Sequence, residues 1–139
     1  MSQRILVLDG AYGSAFQGYA LSEEAFRGRQ YADHDHPLQG NHDILNITQP
    51  GIVAEVHEGY LAAGCDIIST NTFNATAIAQ DDFGTQNVCF DINEQAAAIA
   101  RQCADAYSTA DNPKFVAGSI GPTNRTASIP PHVHPPDIR

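Results

Sequence analysis

Three short aliphatic runs, none of them alternating with polar residues, constrain this chain more than any other feature. Ile5-Leu-Val-Leu8 stops at Asp9-Gly10, Ile67-Ile68 runs out into Ser69-Thr-Asn-Thr-Phe73, and Phe115-Val-Ala117 leads to Gly118 and Ser119. A strand that is apolar at successive positions needs cover on both faces, which is the condition of a parallel sheet. Strands of that kind must be separated by crossovers long enough to return the chain, normally through a helix.

The intervening sequence supplies such helices. Pro50 to Ala63 reads as a helix: proline suits a first turn, Thr48 or Gln49 is placed to cap it, and Val53, Val56, Tyr60 and Leu61 share a face before Gly64 ends it. Asn74 is expected to cap a short helix carrying Ile78, Ala79 and Phe83, closed by Gly84. From Ile92 to Tyr107, an apolar stripe of Ile92, Ala96, Ile99, Ala100, Cys103 and Tyr107 follows Asp91 and Glu94, which have capping-box spacing. Residues 11–49 are broken by Gly13, Gly18, Gly28, Pro37 and Gly40 and carry only a short helix over 22–27. A loop of that length after a first strand is usually functional.

The class is therefore α/β, with one domain over residues 1–139. Two architectures compete. A dinucleotide-binding, doubly wound sheet calls for G-x-G-x-x-G after the first strand, whereas this turn reads Asp9-Gly-Ala-Tyr-Gly-Ser14 and is followed by no early helix pattern. A (β/α)₈ barrel of the TIM type needs about 250 residues and eight units. The chain would then be its N-terminal part, about three βα units.

Charge and composition exclude several roles. Sixteen acidic against seven basic residues give a net charge of −9 with no Lys/Arg cluster, so a phosphate-tracking surface for nucleic acid is excluded. No apolar run approaches the roughly 20 residues that span a bilayer, and Met-Ser-Gln-Arg enters a strand rather than a leader core. A cytoplasmic protein without a membrane partner is expected. Cys65, Cys89 and Cys103 are an odd set without C-x-x-C spacing, and read as reduced structural thiols. Asp33-His-Asp-His36 and His132-Val-His134 could each bring two metal ligands together, but both lie in irregular segments and read as solvated loops. His57, on the first long helix, is expected at its surface.

The polar residues collect at one edge. Asp9 and Gly10 close the first expected strand, Thr70 and Asn71 the second, Gly118 and Ser119 the third. All lie at the C-terminal edge of a parallel sheet, where ligands of α/β folds bind. An aspartate there suits an ammonium group, and the neighbouring glycine lets a backbone N–H approach a carboxylate, so the pair suits an amino acid. Asp9 and Asn71 serve equally well as turn residues satisfying local N–H groups.

Four ordered blocks then carry a resemblance. Leu8-Asp-Gly-Ala-Tyr-Gly-Ser14, Gly40-Asn-His-Asp-Ile-Leu-Asn-Ile-Thr-Gln-Pro50, Ala63-Gly-Cys-Asp-Ile-Ile-Ser-Thr-Asn-Thr-Phe-Asn74 and Gly121-Pro-Thr-Asn-Arg-Thr-Ala-Ser-Ile129 are similar to the homocysteine methyltransferases. The last block resembles in particular the homocysteine-binding domain of cobalamin-dependent methionine synthases. The resemblance implies a (β/α)₈ barrel in which zinc activates the sulfur of homocysteine. It also implies a methyl group arriving from methylcobalamin, itself charged from 5-methyltetrahydrofolate, to give methionine.

On that resemblance the substrate-binding residues are Asp9, Gly10, Thr70, Asn71 and Ser119. The family's three zinc cysteines fall in later barrel strands, so no cysteine here matches a ligand, and this segment binds neither zinc nor cobalamin by itself. Its implied partners are homocysteine, the remaining barrel strands and the cobalamin and folate modules, and alone it is expected to be inactive. Ser69 stands where many relatives have glutamate, Tyr12 and Ser14 replace a Met-Gly-Thr pattern, and Pro130-Pro-His-Val-His-Pro-Pro136 departs from the usual continuation. A non-catalytic amino-acid-binding module, or a homocysteine methyltransferase using another methyl donor, remains the alternative.

Overall fold

The computed structural model describes residues 4–125. The second half of the loop that follows the third strand and the pair His132 and His134 lie outside the described residues.

The chain runs through α1 (Tyr12–Gln17), α2 (Glu23–Arg27), α3 (Leu45–Thr48), α4 (Pro50–Ala62), β1 (Ile67–Ser69), α5 (Ala77–Gln80), α6 (Cys89–Tyr107) and β2 (Phe115–Ala117), with short 3₁₀ turns at His42–Ile44, Asp81–Phe83 and Gln86–Val88. β1 and β2 pair in parallel with Ile67 opposite Phe115, Ile68 opposite Val116 and Ser69 opposite Ala117. On the other side of β1 lies the extended segment 5–8. Val7 O accepts from the Asp66 and Ile67 amides at 2.7 and 3.1 Å, and the Asp9 amide donates to Ile67 O at 3.0 Å. The spatial order is thus the chain order, each new stretch laid beside the last. A small parallel sheet flanked by helices confirms the α/β class.

One face of the sheet is covered. α4 and α6 pack against each other and over β1, enclosing Leu61, Cys65, Ile68, Ala100, Cys103 and Ala104. Alanines on the inner face of α6 let the helices approach closely, and full burial of residues such as Leu61 and Ile68 contributes about 1.5–3 kcal/mol each. A second apolar cluster (Phe16, Phe26, Leu38, Ile44, Val53 and Ile92 among its members) ties the long N-terminal segment to α4 and α6. On the opposite face Leu6, Leu8 and Phe115 are left about half exposed, and Ile5 and Val7, which alternate with Leu6 and Leu8, are exposed at the sheet's edge. The covered half of the two-sided expectation is met, and the other half is not met by the described residues.

Several local expectations need correction. An early helix does exist: α1 begins three residues after Asp9, anchored by buried Phe16, with Gly13 inside it and Gly18 at its end. α5 is capped by Thr76, whose hydroxyl accepts from the Ala79 amide, and not by Asn74. α6 starts at Cys89, so Asp91 lies inside its first turn and forms no capping box. Gly64, at φ +101°, ends α4 as expected. His57 is completely buried, because its face of α4 turns toward α1 rather than solvent.

Candidate functional site

The C-terminal ends of β1 and β2 and the start of α1 surround a cavity of about 350 Å³. Gly10, Thr70, Asn71 and Ser119 all line it, as do His42 and Asp43 from the 3₁₀ turn. Four of the five residues singled out from the sequence therefore share one cavity.

A chain of hydroxyl contacts fixes the two strand ends to each other. Thr70 and Thr72 place their hydroxyls 2.7 Å apart, Thr72 Oγ1 donates to Ser119 O at 2.8 Å, and the Ser119 amide donates to Thr70 Oγ1 at 3.0 Å. Farther along, the Gly121 amide donates to Phe73 O at 2.9 Å. Only glycine fits there, since a Cβ would stand 2.4 Å from that same oxygen. Asn71 Nδ2 donates to His42 O at 2.8 Å, and buried Asn46 bridges the carbonyls of Asp43 and Asn71 at 2.7 Å each. The mouth is hydrogen-bonded together before any ligand arrives.

Asp9 occupies the same edge but directs its carboxylate into the wall. Oδ2 accepts from Tyr12 Oη at 2.5 Å and from the Ser69 amide at 2.6 Å, and Oδ1 accepts from Ser69 Oγ at 2.9 Å. The Tyr12 oxygen also meets His57 Nδ1 at 2.8 Å. Because the tyrosine proton goes to Asp9, this contact is His57 Nδ1–H donating to Tyr12, and the buried Nε2 is left as an acceptor without a partner. Burial lowers the His57 pKa to about 4, against the opposing pull of the Asp9 charge, so the ring is neutral near pH 7. Burial and the bond to Asp9 together raise the Tyr12 hydroxyl well above its ordinary value, keeping its proton in place.

Asp43 is the residue the sequence reading passed over. It lies within one of the family-like blocks, but nothing in its spacing separated it from a turn residue. Its side chain is buried in the cavity wall, and Oδ1 accepts from the Asn74 amide at 2.9 Å. Desolvation raises its pKa from 3.8 to about 6, opposed by the Asn74 and its own backbone N–H groups.

No group of three or more His, Cys, Asp or Glu side chains among the described residues is arranged to hold a metal ion. Cys65 and Cys103 are sealed between sheet and helices, and burial pushes all three thiols up, the opposite of what a zinc-bound thiolate requires. The described residues do not fit a zinc site. No helix among them is long and apolar enough to cross a membrane.

A family model described as homocysteine S-methyltransferase matches residues 6–138. Among solved structures, the chain is similar to the homocysteine methyltransferase MmuM from Escherichia coli in its metallated form. The identity is 23% and the TM-score 0.64, with 87% of this chain and 39% of that chain covered. The likeness in structure shows a shared fold, of which this chain spans well under half the length.

Proposed function

The chain belongs to the homocysteine S-methyltransferase family, and from that premise we propose that its cavity receives the amino-acid end of homocysteine during methyl transfer to the sulfur. The observation that carries this reading is the convergence of Gly10, Thr70, Asn71 and Ser119 on one polar cavity at the C-terminal ends of parallel strands. Family membership supports homocysteine as the amino acid that such a cavity serves. Backbone amides and hydroxyls at fixed positions hold a zwitterion without reorganising, and so keep the sulfur end in one direction.

The chain's sheet is read as the first part of a (β/α)₈ barrel. Strands laid side by side in chain order and, among the described residues, helices on one face and an uncovered apolar face on the other support that reading. In a barrel, the open face becomes the packed interior. Zinc, which in the whole protein would stabilise the homocysteine thiolate, has no fitting donor set among the described residues, so no chemical step is assigned to this chain. What its residues do is bind and orient.

The donor is proposed to be methylcobalamin, charged from 5-methyltetrahydrofolate. The Gly121-Pro-Thr-Asn-Arg-Thr-Ala-Ser wording, similar to the cobalamin-dependent branch, supports that choice. The whole protein that carries this chain should be assayed with L-homocysteine and, in turn, methylcobalamin, S-methylmethionine and betaine. Methionine formed from methylcobalamin supports the reading. Methionine formed only from one of the others overturns the donor, and none from any of the three overturns methyl transfer.

A further inference from the structure

Four stretches of chain meet at one carboxylate. Asp9 accepts on Oδ2 from the Tyr12 hydroxyl of α1 and from the Ser69 amide of β1, and on Oδ1 from Ser69 Oγ. His57 of α4 stands behind Tyr12, its Nδ1 2.8 Å from the phenolic oxygen. A tyrosine has one proton to give, and here it goes to Asp9, so the line has a fixed direction: His57 donates to Tyr12, and Tyr12 donates to Asp9. Asp9 itself is half-buried, and its bonded partners Tyr12 and Ser69 line the cavity, as does its chain neighbour Gly10.

Packing alone does not call for this line. The Tyr12 ring lies against those of Phe16 and Tyr60, where an apolar side chain would serve, and the pattern that the chain resembles has methionine there. His57 is completely buried and neutral, and its Nε2 has no partner among the described residues. An unpaired buried acceptor is costly, and a hydrophobic pair in the places of Tyr12 and His57 would avoid that cost. Ser69 is a second departure from the same pattern, and both departures bring a hydroxyl to one carboxylate. A carboxylate offers about four acceptor positions, so with three taken Asp9 is held in one orientation and keeps one position, on Oδ1.

We propose that Tyr12 is a positioning residue for recognition of the substrate's ammonium group: its hydroxyl, oriented by His57, fixes the Asp9 carboxylate in the orientation that receives that group at the Asp9-Gly10 turn. This assignment rests on the reading of the turn and the cavity as the place of the amino-acid end of homocysteine. Tyr12 then contributes to affinity through Asp9, and its contribution is confined to ligands that carry an ammonium group. A side chain that merely filled space would support every ligand of the cavity alike.

The test measures, by calorimetry on the whole protein that carries this chain, the dissociation constants of two probes. One is L-homocysteine; the other is 4-sulfanylbutanoate, which keeps the carbon chain, carboxylate and thiol but lacks the ammonium group. Wild type should favour homocysteine by about tenfold or more, and Asp9→Asn should reduce that preference to within about twofold. Tyr12→Phe should weaken homocysteine by about fivefold and leave 4-sulfanylbutanoate within about twofold, since the carboxylate is no longer immobilised beforehand. Tyr12→Met, which carries the side chain of the resembled pattern, should do the same. In the Asp9→Asn background either change should leave the homocysteine constant within about twofold. Equal weakening of both probes by the Tyr12 variants, a preference that both variants leave intact, or a full fivefold loss in the Asp9→Asn background overturns the assignment and leaves the homocysteine reading standing. A preference that survives Asp9→Asn, or none in wild type, overturns the turn as the ammonium site and this assignment with it. Absence of any homocysteine binding by wild type overturns the homocysteine reading itself.

Discussion

Asp43→Asn should make the protein more stable at neutral and alkaline pH. In the folded chain the Asp43 pKa rises from 3.8 to about 6 because burial disfavours the carboxylate. The unfolded chain has no such constraint. A group whose pKa is raised by folding favours the folded state only while it is protonated there. Below about pH 3.8 both states carry the proton and nothing is gained or lost; between 3.8 and about 6 the unfolded chain releases its proton first and stability falls; above that the loss is complete. At 1.36 kcal/mol for each tenfold change in ionisation constant, the full loss amounts to about 3 kcal/mol.

Asparagine keeps the acceptor for the Asn74 amide and removes the charge, so it should recover most of that amount. The neighbouring titratable groups leave this expectation intact: burial lowers the pKa of His42, and the Cys89 thiol is pushed up by burial and by Asp43 itself. Urea denaturation at low micromolar protein, at pH 3.5 and pH 8, reads the effect. Wild type and variant should share a midpoint at pH 3.5, and at pH 8 the variant should unfold at a concentration higher by about 1 M or more, given an ordinary urea dependence for a chain of this size. A variant no more stable than wild type at pH 8, or equally stabilised at both values, would refute the picture of an uncompensated buried charge.

Three further outcomes are expected. Asn41 and Gln80 exchange two amide hydrogen bonds in the core, at 2.8 and 3.1 Å, with Thr85 Oγ1 also donating to Gln80 at 2.6 Å; either alanine variant should cost about 1–3 kcal/mol, and the double variant distinctly less than the sum, so additive losses in a denaturation cycle would count against a coupled pair. The Asp66 carboxyl is held at about 2, first by the Arg4 hydrogen bond and then by the Val7 amide, with Lys114 nearby; its contribution is present above an ordinary carboxyl pKa and lost as pH falls toward 2, so Asp66→Asn should lower Tm at pH 7 and flatten the acid limb, and an unaltered acid transition would contradict this. Gly121→Ala should break the bond to Phe73 O and cost about 1–3 kcal/mol, seen as shifted amides around Thr72 and Ser119; a spectrum and stability matching wild type would show that the loop yields more easily than the geometry implies.

The parts of the fold legible in the sequence were those with a local physical signature. Pro50 and Gly64 bracket α4 because each is suited to one end of a helix, and the stripe from Ile92 to Cys103 is buried as its spacing predicts. α1 was not legible, since glycine at position 13 removes the local preference and the helix is held by Phe16 reaching a core built from distant segments. The cap of α5 fell to Thr76 rather than Asn74 because the helix begins at Ala77, which puts Thr76 and not Asn74 at the position whose side chain reaches the Ala79 amide. His57 was misplaced for a similar reason: a polar residue on a helix reads as exposed until a partner such as Tyr12 is known to cover it. That Gly10, Thr70, Asn71 and Ser119 lie together around one cavity was readable from the strand ends alone. Asp43 was not, because its importance comes from what surrounds it, and a turn aspartate that is buried has the same sequence signature as one that is solvated.

The ion group of Arg4, Asp66 and Lys114 sits where the strands begin, and none of its members lines the cavity where the strands end. Such a division makes the molecule tolerant of change in an uneven way. Substitutions in the loops around the cavity can change its lining while the fastening at the far edge keeps the sheet in register, whereas a change at Asp66 loosens all the strands that frame the cavity at once. The cavity lining can therefore be altered in its loops alone, and the residues least open to change are those farthest from it.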